Sequence, residues 1–482
     1  MSRRANWMAS TSLLGALMAG VFIRLLRLGA KPLWLDEVLS VRAASVGLQE
    51  LTRGTVERYH PPLYFLLLSG WLRAGTSDGF VRLLSVVAGS AAVLLTGWLA
   101  RELFGRRVAV TATWLSAASP LLVWYAQEAR DYSLLVAAVL LGLVGLALCL
   151  PRPRPHSWAL FVLGTIIGLY THYVGALAPI LQAVLAVGLV SARRAVPSTL
   201  GLMLLGWVVA GLAYLPWVRT PAAQAFLLRL RSDGLFLDVL NVGRGYLPPT
   251  LAALVQQSPV SLAAVAGLVI GLLVLVALGV TVTVVRRYAQ VQKALSESGS
   301  ARILLIVLFF AMLVVSVIPR GYTAKRYALV LLPALLIFYA TVWPWDSTSQ
   351  RVIAALVGLS LAASFLNVLV IPKAQWDRAA DFVREHEEVG DVVVLSPAYM
   401  TLTYGYYAGE NPPTSVVRGS GISDVDKTLS GLREKYARVW YVFHTTDVGR
   451  HQAAIGHWLT ENAGFVSRTR FYRVDVLLYS LE

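Results

Sequence analysis

Apolar runs of about 20 residues recur along most of the chain, separated by short basic or polar segments. A helix of that length crosses the ~30 Å hydrocarbon core of a bilayer, so each run predicts a spanning helix. The first run has no small-residue cleavage site and is interpreted as a retained helix. The predicted spans, about eleven in all, lie near residues 8–28, 81–103, 107–126, 132–150, 157–173, 175–192, 198–217, 259–285, 302–319, 327–345 and 351–371.

The apolar segment HPPLYFLLLSGWLRAG (60–75) is too short to fit this series easily. From Pro61 to Gly75 a helix rises about 22 Å, which is less than the hydrocarbon core. We interpret it as an interfacial helix in a long first outer loop (29–80), with a full span as the alternative. With the N-terminus in the cytoplasm, the positive-inside rule is then satisfied. The short loops that fall inside are all basic: 101–107, 151–157, 191–198 and 286–293.

Hydropathy falls after residue 372, which predicts a transmembrane domain at 1–372 and an outward-facing soluble domain at 373–482. Apolar residues recur at helical spacing from Trp376 to Val383. Two apolar stretches, 391–397 and 437–444, predict buried strands, and 465–481 predicts a pair of strands. The fold class is therefore an all-α polytopic membrane protein with a small C-terminal α/β domain. The sequence has no GxGxxG or Walker motif, so the small domain is not assigned to nucleotide binding.

Composition supports the membrane assignment and argues against a soluble protein, a nucleic-acid-binding protein and cysteine-based sites. The chain is 57% hydrophobic and only 14% charged, whereas soluble domains carry about 25% charged residues. A net charge of +16 would suggest nucleic acid in a soluble protein, but arginine at helix ends and contact with anionic lipid explain it here. Cys149 is the single cysteine, which excludes disulfides and cysteine-based metal sites within the chain.

Two adjacent acids, Asp36 and Glu37, follow the first apolar run in KPLWLDEVLS (31–40). An unpaired charge among apolar residues at membrane depth is costly, so the pair predicts either a function or a structural partner. A carboxylate in such a setting can act as a general base. The structural alternative is that Asp36 caps a helix beginning at Glu37.

A second acidic motif, YAQEARDYS (125–133), places Glu128 and Asp131 on one helical face. They could share a divalent ion with the first-loop acids through oxygen ligands. Alternatively, Asp131 caps the helix at 132 and Glu128 pairs with Arg130. His60 begins the interfacial helix and can donate to a phosphate or ligate a metal. A metal ion on Glu128, Asp131 or His60 is therefore an open expectation.

The loop PRGYTAKRY (319–327) breaks the positive-inside rule, because its three cations have no acid among them and it falls outside. Guanidinium groups and an ammonium suit a phosphate or diphosphate. The loop, the acids, His60, His172 and Tyr173 all fall on one predicted face, which indicates a single outward-facing site. The three cations are Arg320, Lys325 and Arg326.

These motifs resemble the polytopic glycosyltransferases of the GT-C superfamily, in particular the branch with protein O-mannosyltransferases and lipid A aminoarabinose transferases. The matching pieces, in family order, are LWLDEVLS, HPPLYFLLLSGWL and the stretch from VRLLSVVAGS to QEARDYSLL. The resemblance is good over roughly residues 10–190 and weaker over 200–370. It implies a polyprenyl-phosphate-linked sugar donor and an acceptor hydroxyl, with inversion at the sugar.

The resemblance also implies roles for individual residues. Asp36 would be the catalytic base, and Glu37 would support it or the acceptor. Glu128 and Asp131 would form the second acidic motif. The donor phosphate would be bound by His60, Arg320, Lys325 and Arg326. Candidate substrate contacts are Tyr64, His172, Tyr173, Arg244 and Tyr322.

Two other functions remain open at this point. A transporter or flippase of an anionic lipid or lipid-linked sugar would also need many helices and charged residues, but it more often shows a repeat and charges at mid-depth. A structural membrane protein would not need the outer acids. The sequence does not identify the sugar or distinguish protein, lipid and glycan acceptors.

Overall fold

The structure is a computed structural model that describes residues 3–54, 60–191, 195, 199–232, 329–342, 347–409, 413–417, 422–445 and 450–481. The chain divides into two compact units. The membrane unit comprises Met1–Leu28 and Ala43–Ile371, and the C-terminal unit comprises Gly29–Arg42 and Pro372–Glu482. The second part of the C-terminal unit begins at Pro372, and the assignment of 29–42 to this unit has no signal in the sequence.

The helices before residue 371 follow the apolar pattern closely. Besides the predicted ones, short helices occupy the first loop, and one helix follows residue 220. The α-helices are α1 (Arg3–Leu25), α2 (Leu35–Ser45), α3 (Leu48–Arg53), α4 (Leu63–Leu72), α5 (Asp78–Phe104), α6 (Arg106–Ala118), α7 (Pro120–Ala126), α8 (Tyr132–Cys149), α9 (Pro155–Thr171), α10 (Leu177–Ser191), α11 (Leu200–Val218), α12 (Pro221–Ser232), α13 (Leu332–Val342) and α14 (Ser347–Val370).

Four helices in the described part of the chain are long and apolar enough to cross a membrane, or up to five when the bent pair α6–α7 counts as one span. The predicted number of about eleven is therefore not confirmed. The predicted spans at 259–285 and 302–319 lie outside the described residues. Helix α4 has ten residues and rises about 15 Å, so its length fits the interfacial interpretation better than a span.

The predicted single helix at 107–126 is wrong, because the structure breaks it into α6 and α7 with a bend of 57°. Ser119 between them has an extended backbone (φ −61°, ψ 118°). The physical reason is Pro120, which starts α7: proline lacks an N–H and disfavours a helical conformation in the residue before it.

Polar side chains stabilise the break between α6 and α7. Arg24 of α1 is fully buried and donates to the carbonyls of Gly20, Ala117 and Ser116 at 2.8, 3.0 and 3.3 Å. Ser364 Oγ donates to the Ala118 carbonyl at 2.8 Å. The last carbonyls of α6, which have no partner within the helix, are thereby satisfied inside the protein.

Helices α8 and α9 approach each other closely enough for their backbones to be in contact. A Cβ added to Gly145 would lie 2.2 Å from the Phe161 nitrogen, and one added to Gly164 would lie 2.3 Å from the Gly142 nitrogen. Only glycine permits such contact, and small residues are typical of close packing between helices in membranes. The tightly packed α8–α9 hairpin thus holds the loop before Tyr132 at one end and the loop before Pro155 at the other.

The C-terminal unit is an α/β domain, as predicted. Its strands are β1 (Asp391–Ser396), β2 (Thr414–Ser415), β3 (Arg438–His444), β4 (Gly464–Phe471) and β5 (Val474–Ser480), in the order β2-β1-β3-β5-β4. Strand β1 pairs with β2 and β3 in parallel, and β5 pairs with β3 and β4 antiparallel. Its α-helices are α15 (Trp376–His386), α16 (Thr401–Ala408), α17 (Ile422–Arg433) and α18 (Arg450–Asn462).

Helices cover both faces of this sheet. Val393 and Leu395 of β1 pack in one apolar cluster with α15 and α16, whereas Val392 and Val394 pack in another with α17 and α18. This arrangement explains why every residue of β1 is buried, since a strand covered on both faces is apolar throughout.

Candidate functional site

The predicted site residues in the described part of the chain are divided between the two units. Asp36 and Glu37 belong to the C-terminal unit, and His60, Tyr64, Glu128, Asp131, His172 and Tyr173 belong to the membrane unit. Five predicted site residues lie outside the described residues: Arg244, Arg320, Tyr322, Lys325 and Arg326.

Helix α2 carries the first-loop acids in its first turn. The helix begins at Leu35, so Asp36 is not the capping residue that the structural alternative required. The cap contact comes from Glu37, whose carboxylate accepts the Trp34 N–H at 3.2 Å, as the third helical residue does in a capping box. Glu37 is fully buried and also accepts from Lys373 Nζ at 2.7 Å. Asp36 is partly exposed.

The structure therefore gives the two acids different surroundings. The ammonium of Lys373 compensates the charge of Glu37, and this contact joins residues 336 positions apart in sequence. Asp36 remains at the partly accessible start of the helix. Lys373 had no signal in the sequence analysis, because only the folded chain brings it to the first loop.

In the membrane unit, a cluster of His60, Asp131 and His172 forms where three helices begin or end. His60 lies just before α4, Asp131 directly before α8, and His172 directly after α9. One potential ligand atom from each residue lies within 4.8 Å of the others. His60 Nδ1 is 3.2 Å from Asp131 Oδ2, and the two imidazole centroids are 5.0 Å apart.

Arg130 completes the polar surroundings of this cluster. Its Nη2 lies 3.3 Å from His60 Nε2. Because a guanidinium only donates, Nε2 of His60 accepts and its Nδ1 proton faces Asp131. The Arg130 side chain also lies over the Tyr132 ring, 5.8 Å from the centroid. From the sequence Arg130 is predicted only as a partner for Glu128, and its contact with His60 appears only in the folded chain.

Electrostatics favour a charged Asp131. Burial by itself opposes ionisation of this carboxyl, but its close contact with His60 and the electrostatic influence of His60, His172 and Arg130 outweigh burial and hold its pKa well below the usual value. Asp131 is only 1% exposed. A buried carboxylate next to two imidazoles is a donor set that transition metals prefer.

His172 presents one particular nitrogen to the cluster. Its Nδ1 accepts the Val174 N–H at 3.0 Å, so the neutral ring carries its proton, or a metal, on Nε2. The residues therefore fit a divalent ion such as zinc through two imidazoles and one carboxylate. Of the three ligands that the sequence analysis named, His60 and Asp131 belong to this group and Glu128 does not.

Other predicted residues have contacts inside the membrane unit. Tyr64 is fully buried, and its hydroxyl lies 2.9 Å from Ser85 Oγ, which donates to the Arg130 carbonyl at 3.0 Å. Tyr173 stacks on Phe226 with centroids 3.7 Å apart. The contacts of Tyr64 and Ser85 position the loop of the second acidic motif, and the stacking on Phe226 positions the segment that follows His172. Glu128 is buried in that loop, 4% exposed.

Comparisons with known proteins identify the fold. No family model matches the sequence, and no curated protein matches it. Solved structures do match. The oligosaccharyltransferase from Archaeoglobus fulgidus in complex with Zn and sulfate aligns with a TM-score of 0.55 and 15% identity, over 94% of this chain and 71% of that chain.

Two further structures agree. The archaeal oligosaccharyltransferase AglB from Archaeoglobus fulgidus, in complex with an inhibitory peptide and a dolichol-phosphate, has a TM-score of 0.53 and 12% identity, over 99% of this chain and 74% of that chain. Arabinofuranosyltransferase AftD from Mycobacteria has a TM-score of 0.52 and 16% identity, over 100% of this chain and 40% of that chain. The resemblance to GT-C glycosyltransferases is therefore confirmed at the level of the fold.

Proposed function

We propose that the protein is a membrane glycosyltransferase that moves a sugar from a polyprenyl-phosphate donor to an acceptor hydroxyl. The observation that carries the proposal is the buried group of His60, Asp131 and His172 beside Arg130, in a chain with the GT-C fold. A structural membrane protein has no need of a buried ionised carboxylate surrounded by imidazoles, because burying charge is costly. The dolichol-phosphate bound to the archaeal enzyme supports a lipid-phosphate donor.

In this mechanism Asp36 accepts the proton of the acceptor hydroxyl. The hydroxyl oxygen then attacks the anomeric carbon, the bond from that carbon to the phosphate oxygen breaks, and polyprenyl phosphate leaves with inversion. The partial exposure of Asp36 supports this role. Glu37 positions it, since its contacts with Trp34 and Lys373 hold the first turn of α2.

The second acidic motif and the basic residues serve the donor. Arg130 and the predicted phosphate ligands Arg320, Lys325 and Arg326 stabilise the negative charge that develops on the leaving phosphate. A divalent metal held by His60, Asp131 and His172 would add Lewis-acid stabilisation of that charge. His60 then acts as a metal ligand or, without metal, as a neutral hydrogen-bonding group between Arg130 and Asp131.

The decisive experiment incubates purified protein with a panel of polyprenyl-phosphate sugars and measures released polyprenyl phosphate and glycosylated acceptor. Asp36→Asn should lower turnover by about 10²–10⁴ and leave folding and donor binding unchanged. Glu50→Gln, which changes an exposed acid in the same loop, is the matched control. Full turnover in Asp36→Asn with the true donor contradicts the assignment. Passage of intact donor across liposomes without cleavage supports the transporter alternative.

The metal is tested separately from activity. Elemental analysis of purified protein, after dialysis against zinc, should give about one ion per chain, and this should fall in His172→Ala. His156→Ala, at an exposed histidine in the first turn of α9, at the end opposite His172, should keep the metal. Equal metal content in both variants contradicts the metal site but leaves the transferase proposal standing.

A further inference from the structure

A polar cavity lies at one end of the α8–α9 hairpin, opposite the end that carries the His60–Asp131–His172 cluster. Helix α8 has 18 residues, so its two ends are about 27 Å apart. The cavity has a volume of about 390 Å³ and is bounded by the end of α8 and the start of α9. No step of the proposed reaction uses it.

The lining of the cavity combines cationic and apolar residues. Its polar residues include Arg152, Arg154 and His156, together with one acid, Glu102. Two guanidinium groups outnumber the one carboxylate, and arginine is always charged. The apolar residues are Leu103, Ala147, Leu148 and Leu189. A ligand that suits this lining has an anionic group joined to apolar chains.

The start of α9 adds directed donors. Arg154 is its N-cap residue and provides no side-chain cap, and Pro155 has no N–H. The first amides of a helix have no acceptor within it and favour an anion. Ser157 lines the cavity and is 2% exposed, so its hydroxyl lies beside these amides.

The two arginines are also available to a ligand. Both side chains are exposed, and over the described ranges of the chain neither guanidinium forms an ion pair or a hydrogen bond. By contrast, the buried arginines Arg24 and Arg82 donate to protein carbonyls. These two buried arginines thus have acceptors within the protein, whereas the two arginines that line the cavity have none among the described residues.

We propose that this cavity binds the phosphate of an anionic phospholipid headgroup in the leaflet at this end of the hairpin. The guanidinium groups and Ser157 would bind the phosphate oxygens, and the apolar wall would contact the start of the acyl chains. Basic pockets between helices are a recognised form of lipid-headgroup site. In the topology predicted from charge, this end faces the cytoplasm, where anionic lipid is concentrated.

The test uses full-length protein freed of lipid in detergent, with phosphatidylglycerol binding measured by native mass spectrometry. Each surface cation contributes about fivefold in affinity, so Arg152→Gln/Arg154→Gln should weaken binding by about 25-fold. Ser157→Ala should weaken it by less. The matched control is Arg101→Gln/Arg351→Gln, which removes the same charge from two exposed arginines outside the cavity and should change binding less than about twofold.

Three results would overturn the proposal. An equal loss in the control variant would mean that only net charge attracts the lipid. Equal binding of zwitterionic phosphatidylcholine would remove the requirement for an anionic headgroup. Displacement of phosphatidylglycerol by millimolar inorganic phosphate would assign the cavity to free phosphate in place of lipid. None of these readouts depends on sugar transfer, so the outcome is separate from that of the proposed function.

Discussion

Two buried acids, Glu37 in the C-terminal unit and Asp131 in the membrane unit, are almost equally hidden from solvent but have opposite surroundings. The partners of Glu37 are a lysine ammonium and a backbone N–H. Asp131 faces two imidazoles and lies beside a guanidinium that contacts one of them. Lysine keeps its charge at neutral pH, whereas imidazole can exchange its proton or bind a metal.

From this difference we predict that Glu37 is a structural acid and that Asp131 takes part in the chemistry. Burial alone does not distinguish them, because both carboxylates are buried. A carboxylate held by a permanent cation in a closed pair stabilises the fold around it, while one held by imidazoles can change partners during a reaction. The four predictions below test this distinction, from the largest expected effect to the smallest.

Removing the charge of Asp131 should affect turnover more than stability. We expect Asp131→Asn to lower sugar transfer by about 10²–10³, because the carboxylate that orients His60 and would hold the metal at the donor phosphate is lost. Turnover and thermal unfolding of the same preparation give the comparison. Asp78→Asn, at an acid in the first turn of another helix, is the control. A large loss of stability without loss of turnover per folded molecule would place Asp131 with Glu37.

Glu37 should behave in the opposite way. Glu37→Ala removes the carboxylate that pairs with the partly buried Lys373 ammonium, which should lower the free energy of unfolding by about 3–5 kcal/mol. Adding Lys373→Met should restore much of that loss, since no isolated charge then remains. Denaturant titration of the four members of this cycle measures the coupling. The exposed pair Glu50–Arg53 should show less than about 1 kcal/mol, and equal coupling in the two pairs would contradict the structural role.

The C-terminal unit contains an ion pair whose pH dependence can be worked out. Burial opposes ionisation of Asp391, but bonds from Arg438, the Glu388 N–H and Trp440 outweigh burial and lower its pKa. Because its pKa is lower in the folded state, ionised Asp391 stabilises the fold at pH values above the unfolded-state pKa of about 3.9. This stabilisation is lost as the pH falls through the folded-state pKa.

The hydrogen-exchange protection of β1 and β3, measured relative to the intrinsic exchange rate at each pH, should therefore fall below about pH 4, and Asp391→Asn should reduce this acid dependence by removing the titrating group. Asp381→Asn, at an exposed acid paired with Arg384, should leave the profile unchanged. An unchanged profile in Asp391→Asn would mean that other carboxyls govern acid unfolding of the domain.

The smallest effect concerns the neutral contacts behind Arg130. Ser85→Ala removes the bond to the Arg130 carbonyl and to the Tyr64 hydroxyl, and should cost about 1–3 kcal/mol in unfolding free energy, because a buried carbonyl loses its donor. Thr52→Ala, which removes an exposed bond to Gln49, is the comparison and should cost less than about 1 kcal/mol. Equal costs in both variants would show that the carbonyl of Arg130 finds another donor.

Much of the helical pattern was predictable, because a spanning helix needs a long apolar run that few other structures produce. The strands β1 and β3 and the hairpin of β4 and β5 were predictable for a similar reason. The helices α17 and α18 were missed, since they are amphipathic and polar on average. The break between α6 and α7 follows from one residue, Pro120, within an otherwise continuous apolar run.

The site was only partly predictable. Sequence motifs identified His60, Asp131 and His172 individually, because each polar residue interrupts an apolar context. Their grouping could not be read from the sequence, since residues 60, 131 and 172 meet only when α4, α8 and α9 pack. The same holds for Lys373 with Glu37 and for Arg130 with His60, where the partner is an ordinary basic residue until the fold brings it close.

Arg24 has a consequence for the order in which the protein is built. Its guanidinium donates to the carbonyls of Ser116 and Ala117, which are synthesised about 90 residues later. A nascent chain that ends before them has a cation in its first apolar helix with only the Gly20 carbonyl to accept from it. We expect α1 to reach its final depth only after α6 has emerged, so accessibility of a cysteine placed near Arg24 should drop between truncated chains that end before and after residue 118.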